Sequence, residues 1–151
     1  ILNNFCKTIT SEDDLYLLGD HFLGELEPGI DLFKRLPGKI HIIWGNHCTN
    51  KRKEAISKCP NVVEIIGYAG MLNYHKYNFY LSHYPTSTTN FDDYIKPLKC
   101  RILCLAGHTH STEKFDPCGS YNVAVDAHNC FPVSIDAIIE DFKNYNAVKN
   151  E

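Results

Sequence analysis

The sequence predicts a single α/β domain organised on a mixed sheet, and three observations carry that prediction. The apolar runs at 15–18, 40–44 and 101–106 are short, the first unbroken and the others carrying one polar residue each, His41 and Arg101, as strands in the interior of a sheet can. Helix-like segments separate the early strands, the alternation that produces parallel pairing. The segments 70–74 and 77–82, meeting at His75-Lys76, have the form of a hairpin, which adds an antiparallel pair.

Taken in order, residues 1–7 read as the tail of a helix, and 8–14 as a polar linker rich in turn formers. Strand 15–18 follows. Ile30, Leu32, Phe33 and Leu36 give 29–36 a loose helical spacing, closed by Pro37-Gly38. Strand 40–44 leads to a basic surface helix over 51–58 that stops before Pro60. A β-branched strand at 62–66 precedes the hairpin. Residues 86–99 read as irregular, with a helical turn at 92–95, and 85–99 is the expected specificity loop because it follows His83. Strands at 101–106 and 121–125 come next. Ser134 caps a last helix over 135–145, with Ile135, Ile138, Ile139 and Phe142 on one face.

The composition sets limits on function. Hydrophobic residues at 44% and charged ones at 22% are those of an ordinary globular domain, and 151 residues suffice for one core without staples. A net charge of −3 argues against a broad nucleic-acid-binding face. A local phosphate pocket stays open, because a bound metal would bring the positive charge. Seven cysteines, without the paired spacing of a zinc ribbon, read as reduced thiols of a cytoplasmic protein. No apolar stretch reaches transmembrane length. The chain opens on Ile1 rather than Met, so a segment upstream, including a targeting peptide, stays open.

Four strand ends carry the chemistry. Leu15-Tyr16-Leu17-Leu18 runs into Gly19-Asp20, and Ile40-His41-Ile42-Ile43-Trp44 into Gly45-Asn46-His47. The strand ending at Ser82 runs into His83, and the one ending at Ala106 into Gly107-His108-Thr109-His110. A strand that ends in a glycine turn presents its next side chain at the carboxyl edge of the sheet, where open α/β sheets bind ligands. Asp, Asn and His gathered there make an oxygen-and-imidazole site suited to transition metals.

This ordered set resembles the calcineurin-like metallophosphoesterase family, closest to its small bacterial and phage type, from Leu15 to at least Asp126. The stretch Tyr121-Asn122-Val123-Ala124-Val125-Asp126, followed by Pro132-Val133-Ser134, belongs to the same resemblance. It implies an αββα sandwich spanning 1–151 and hydrolysis of a small phosphate ester, most readily a diester. The attacking hydroxide would be shared by two divalent ions: manganese, iron, nickel or zinc. By the same resemblance Asp20 bridges the ions, Asn46, His83 and His108 complete the shell of one, and His110 serves the other. His47 would contact the phosphoryl group and protonate the leaving oxygen, a task suited to imidazole near neutral pH.

Two departures stand out. Where the family has a carboxylate to orient the catalytic histidine, this chain has Cys48, a poor acceptor. The family's opening Asp-x-His strand has no counterpart before Asp20, which leaves one ion with four protein ligands and the other with two. The expected explanation is a strand upstream of Ile1, with His21 as a lesser substitute. Both departures keep a second expectation alive, an impaired member of the fold acting as a protein-binding scaffold. Of the remaining candidates, Lys51-Arg52-Lys53 reads as a solvated helix start more readily than as a phosphate site. Asn122 and Asp126 read as turn-fixing residues, His41 as a sheet residue, His75 as a hairpin tip, and His128 as a residue near the site without a role.

Overall fold

A computed structural model of the chain describes residues 1–88 and 96–149. The elements run α1 (Leu2–Thr8), β1 (Asp14–Leu18), α2 (Leu26–Phe33), β2 (Lys39–Ile43), α3 (Asn50–Ser57), β3 (Val62–Gly67), β4 (Ala69–Tyr74), β5 (Tyr77–Ser82), β6 (Ile102–Ala106), β7 (Tyr121–Asn122) and α4 (Ile135–Lys149). One sheet has the order β1-β2-β3, all parallel. The other has the order β4-β5-β6-β7, with β4 antiparallel to β5 and the remaining pairs parallel. The α/β class and the mixed pairing are therefore as the sequence predicts. The helical turn expected at 92–95 and the middle of the 85–99 segment lie outside the described residues.

The alternation along β1 and β2 explains their largely apolar composition. Leu15, Ile40 and Ile42 face a core shared with Phe5, Phe33, Trp44, Cys48 and Ile56, beneath the first three helices. Ile43, with Tyr16 and Leu18 packed alongside, faces a second core containing Phe79, Leu81, Leu103, Leu105 and Tyr121, closed by Ile138, Ile139 and Phe142 of α4. The first sheet is thus covered on both faces, and neither face tolerates an open polar row. His41 is the exception. It stacks on Tyr16 at 4.4 Å and lies between Glu64 (2.7 Å) and Asp14 (2.9 Å), so its polarity is met across all three strands.

Several element boundaries differ from the expectation, α4 running on to Lys149 among them, and two of the differences have a definite side-chain cause. Helix α2 begins at Leu26, three residues before the predicted start, and contains Pro28 and Gly29 in its first turn. Proline costs nothing there, since the first amides of a helix have no intrahelical acceptor. Gly29 is required by packing: a Cβ at that position would fall on the Phe22 ring. At the other end of the chain, β7 spans Tyr121–Asn122 instead of extending to Val125. The Asn122 side chain accepts from Ala124 N at 3.0 Å and so turns the backbone out of the ladder, into a 3₁₀ turn at Val125–His128.

Candidate metal centre

Strands β1, β2, β5 and β6 all deliver their carboxyl ends to one place. After β1 the chain passes through Gly19 at φ +93° into Asp20 at φ +43°. After β6 it passes through Gly107 to His108 at φ +68° and His110 at φ +50°. Left-handed conformations at non-glycine residues are uncommon and cluster where a site over-determines the backbone. Three of the six such residues in the described chain belong to this one rim.

The approach of β1 to its neighbours leaves no room for side chains at the two glycines. A Cβ on Gly19 would strike the His83 ring and come within 2.8 Å of Gly45 Cα. A Cβ on Gly45 would strike the Asp20 carboxylate and come within 2.6 Å of Asp20 N. Glycine before Asp20 and before Asn46 is therefore a steric requirement for bringing these turns together.

His83, 3% exposed, is the centre of the group. Its Nδ1 is 2.9 Å from Leu18 O, an acceptor alone, so Nδ1 carries the proton and donates. In the neutral ring Nε2 then presents a lone pair. It faces Asn46 Oδ1 at 2.8 Å and Asp20 Oδ2 at 3.3 Å, both acceptors, with His108 Nδ1 at 3.1 Å. Lone pairs held against one another call for positive charge between them, a proton or a metal ion. Asp20, His83 and His108 bring one ligand atom each within 4.8 Å of one another, a group that could hold an ion. Asp20 is also pinned by its other oxygen, which accepts from His47 N at 2.8 Å.

The remaining candidates are distributed around this cluster. His110 stands outside it: its exposed ring has Nδ1 3.2 Å from Asp126 Oδ2, so Asp126 faces a histidine rather than fixing a local turn. His108 and His110 diverge, as a chain turning between them requires. The His47 side chain is exposed and its ring makes no hydrogen bond among the described residues. Cys48 is buried in the core beneath the helices, so it supports no imidazole at the rim. His21 turns away from its lesser expected role as a ligand. It packs edge-on against Trp44 and Phe33, at 5.9 and 6.0 Å, with both ring nitrogens buried and unpartnered. Burial pulls its pKa down to about 4, against the raising pull of the Asp20 carboxylate.

Asn122 does fix turns, as expected: its amide donates to Ser111 O and Glu113 O, both at 3.0 Å. His128 Nε2 lies 2.8 Å from Asn122 O and takes no place in the cluster. Two residues near the site make contacts that the sequence does not assign, Arg52 falling in the run that reads as a solvated helix start. Tyr84, half exposed, sets its ring edge-on to His108 at 4.6 Å and to His83 at 5.0 Å. Its place directly after His83 was the available signal. Arg52 gives its guanidinium to backbone carbonyls, a contact without any local sequence signature.

No family model matches the chain. It is similar to an uncharacterized protein of Methanocaldococcus jannaschii, 29% identical over 150 residues that span 93% of this chain and 72% of that protein. Its fold is similar to the crystal structure of a protein of unknown function from Aquifex aeolicus. There the TM-score is 0.69 at 25% identity, covering 92% of this chain and 81% of that one. No helix among the described residues is long and apolar enough to cross a membrane.

Proposed function

We propose that the chain is a metal-dependent phosphoesterase, acting most readily on phosphodiesters, with the αββα sandwich of the calcineurin-like metallophosphoesterases. The observation that carries this reading is the convergence of Asn46 Oδ1, Asp20 Oδ2 and His108 Nδ1 on Nε2 of His83. Two oxygens and two imidazoles suit manganese, iron, nickel or zinc, and suit calcium poorly. A divalent ion bound there supplies positive charge for the phosphoryl oxygens and acidifies a coordinated water. The reading includes a second ion, toward which bridging Asp20 and His110 would be the protein's contributions.

The chain's own residues have separable tasks. Leu18 O fixes the His83 tautomer so that Nε2 is the ligating nitrogen. His47 N holds Asp20 in place, while the His47 imidazole is free at the rim. In hydrolysis the water oxygen joins phosphorus, the ester P–O bond breaks, and the departing oxygen takes a proton, for which the His47 imidazole is the donor.

A scaffold without turnover is the second reading, favoured by the absence, among the described residues, of any acceptor for the His47 ring. The two separate in one assay. With added Mn²⁺ the protein is expected to cleave bis(p-nitrophenyl) phosphate, and Asp20→Ala and His83→Ala to abolish that cleavage. Folded protein that shows no Mn²⁺-stimulated turnover overturns the enzyme reading.

A further inference from the structure

The geometry points to Arg52 as a positioning residue that locks the loop carrying Asp20 to the turn carrying Asn46 and His47, an inference that rests on the cation site proposed above. A run of Lys51-Arg52-Lys53 at the start of α3 looks electrostatically misplaced, since the amino end of a helix favours negative charge. The contacts of Arg52 explain its presence there. Nη2 donates to Leu23 O at 2.8 Å and to Gly24 O at 2.7 Å, and Nη1 donates to His47 O at 3.0 Å. The guanidinium also lies over the Phe22 ring, 5.4 Å from its centroid. Its base is fixed too, because Arg52 N caps the helix on Thr49 Oγ1 at 3.4 Å.

The segment it holds has little else to hold it. Among the described residues no backbone-to-backbone hydrogen bond begins or ends within 20–24. Three carbonyls taken by one planar fork therefore supply what a ladder or a helix would supply elsewhere. One bond joins the same two segments at the site itself, His47 N to Asp20 Oδ1 at 2.8 Å. Arg52 sits behind that bond and fixes both of its ends. With the fork committed to carbonyls, its work is to orient ligands and not to bind a substrate phosphate. A lysine would keep the charge but offer one compact ammonium in place of the fork.

The test is Mn²⁺ titration of the full chain by calorimetry, in wild type, Arg52→Ala, Arg52→Lys and a control, Asn61→Ala. Asn61 likewise donates to two carbonyls, Phe33 O at 3.1 Å and Leu36 O at 3.0 Å, away from the site. Arg52→Ala is expected to weaken Mn²⁺ binding about 10- to 100-fold, as loss of a ligand-orienting partner does. Arg52→Lys should recover a minor part of that loss, and millimolar ethylguanidinium should restore affinity to Arg52→Ala. Asn61→Ala should lower the melting temperature while leaving Mn²⁺ affinity at the wild-type value. If Arg52→Ala does not fold, Arg52→Lys decides. Wild-type affinity in the Arg52 variants overturns the positioning role alone, whereas a wild-type protein that takes up no Mn²⁺ overturns the cation site and this role together.

Discussion

Gly45→Ala isolates the close approach of β1 and β2 from every other feature of the site. Gly45 has no left-handed φ, so alanine meets no dihedral penalty there. By reducing the freedom of the unfolded chain it would favour folding by about 0.4–1 kcal/mol. Against this stands the Asp20 backbone nitrogen, 2.6 Å from the new Cβ, with the Asp20 carboxylate nearer still. A carboxylate can swing aside, but a backbone nitrogen moves only with its strand. Overpacking of that kind costs about 1–3 kcal/mol, and the middle of that range leaves a net destabilisation of about 1–2 kcal/mol. An unfolding entropy of about 2.1 cal/mol/K per residue, applied to 151 residues, converts that into a drop in melting temperature of roughly 3–6 °C. The displaced carboxylate would also loosen its bond to His47 N, and Mn²⁺ affinity is expected to fall at least about tenfold, or about 1.4 kcal/mol. Thermal unfolding and calorimetric titration read the two effects. Gly24→Ala is the matched control, since no atom lies within 4 Å of its added Cβ and its φ is not left-handed. It should be neutral or slightly stabilising, with metal binding intact. A Gly45→Ala protein as stable as the Gly24→Ala control, and binding Mn²⁺ as wild type does, would refute the argument that this backbone approach builds the site.

Asp141 of α4 accepts from the Tyr121 hydroxyl at 2.6 Å and from Lys114 Nζ at 2.8 Å. Burial pushes the Asp141 pKa up, but the bonds from Lys114 and Tyr121 outweigh it and hold the carboxyl below its ordinary value. A lowered folded-state pKa means stabilisation that is present at neutral pH and lost as acid protonates the group. Asp141→Asn should therefore cost about 1 kcal/mol in urea unfolding at pH 7, a deficit that narrows as the pH falls below about 4. An undiminished deficit at pH 3 would contradict the charge argument. His21→Leu replaces an imidazole whose two nitrogens are buried without partners by an apolar side chain of similar size. The melting temperature should rise by an amount corresponding to about 1 kcal/mol or more, with Mn²⁺ affinity unaltered. A loss of affinity in this variant would return His21 to the role of a ligand.

What could be read from the sequence was local. Apolar runs that end in glycine mark the turns at Asp20, Asn46 and His108, and the run ending at Ser82 marks His83, so these turns were identifiable one by one. The hairpin and the last helix were legible for the same reason, through period and length. The misplaced start of α2 shows the limit: Pro28 and Gly29 look like breakers until Phe22 is known to lie against Gly29. The early end of β7 depends on the Asn122 side chain taking a backbone amide two residues on. Contacts between side chains and distant carbonyls carry no periodicity at all. Arg52 thus looked like part of a solvated charge run, although Leu23 O, 29 residues away, is one of its partners.

The same distinction bears on why the site is assembled as it is. Left-handed backbone at Asp20, His108 and His110 works against folding by about 1–2 kcal/mol for each residue. The inward-facing lone pairs of Asn46, Asp20 and His83 add an electrostatic cost. None of these features improves the packing of either core, which both close without them. A fold that needed the rim merely to connect strands would use glycine and asparagine at the left-handed positions and leave the imidazoles in water. Fixing His83 on Leu18 O, Asp20 on His47 N and the Asp20 loop on Arg52 makes sense when the convergent atoms have a common cation to hold. A cation bound to the folded state alone would add stability that grows with its concentration relative to its dissociation constant, and would so offset the strain of the proposed rim.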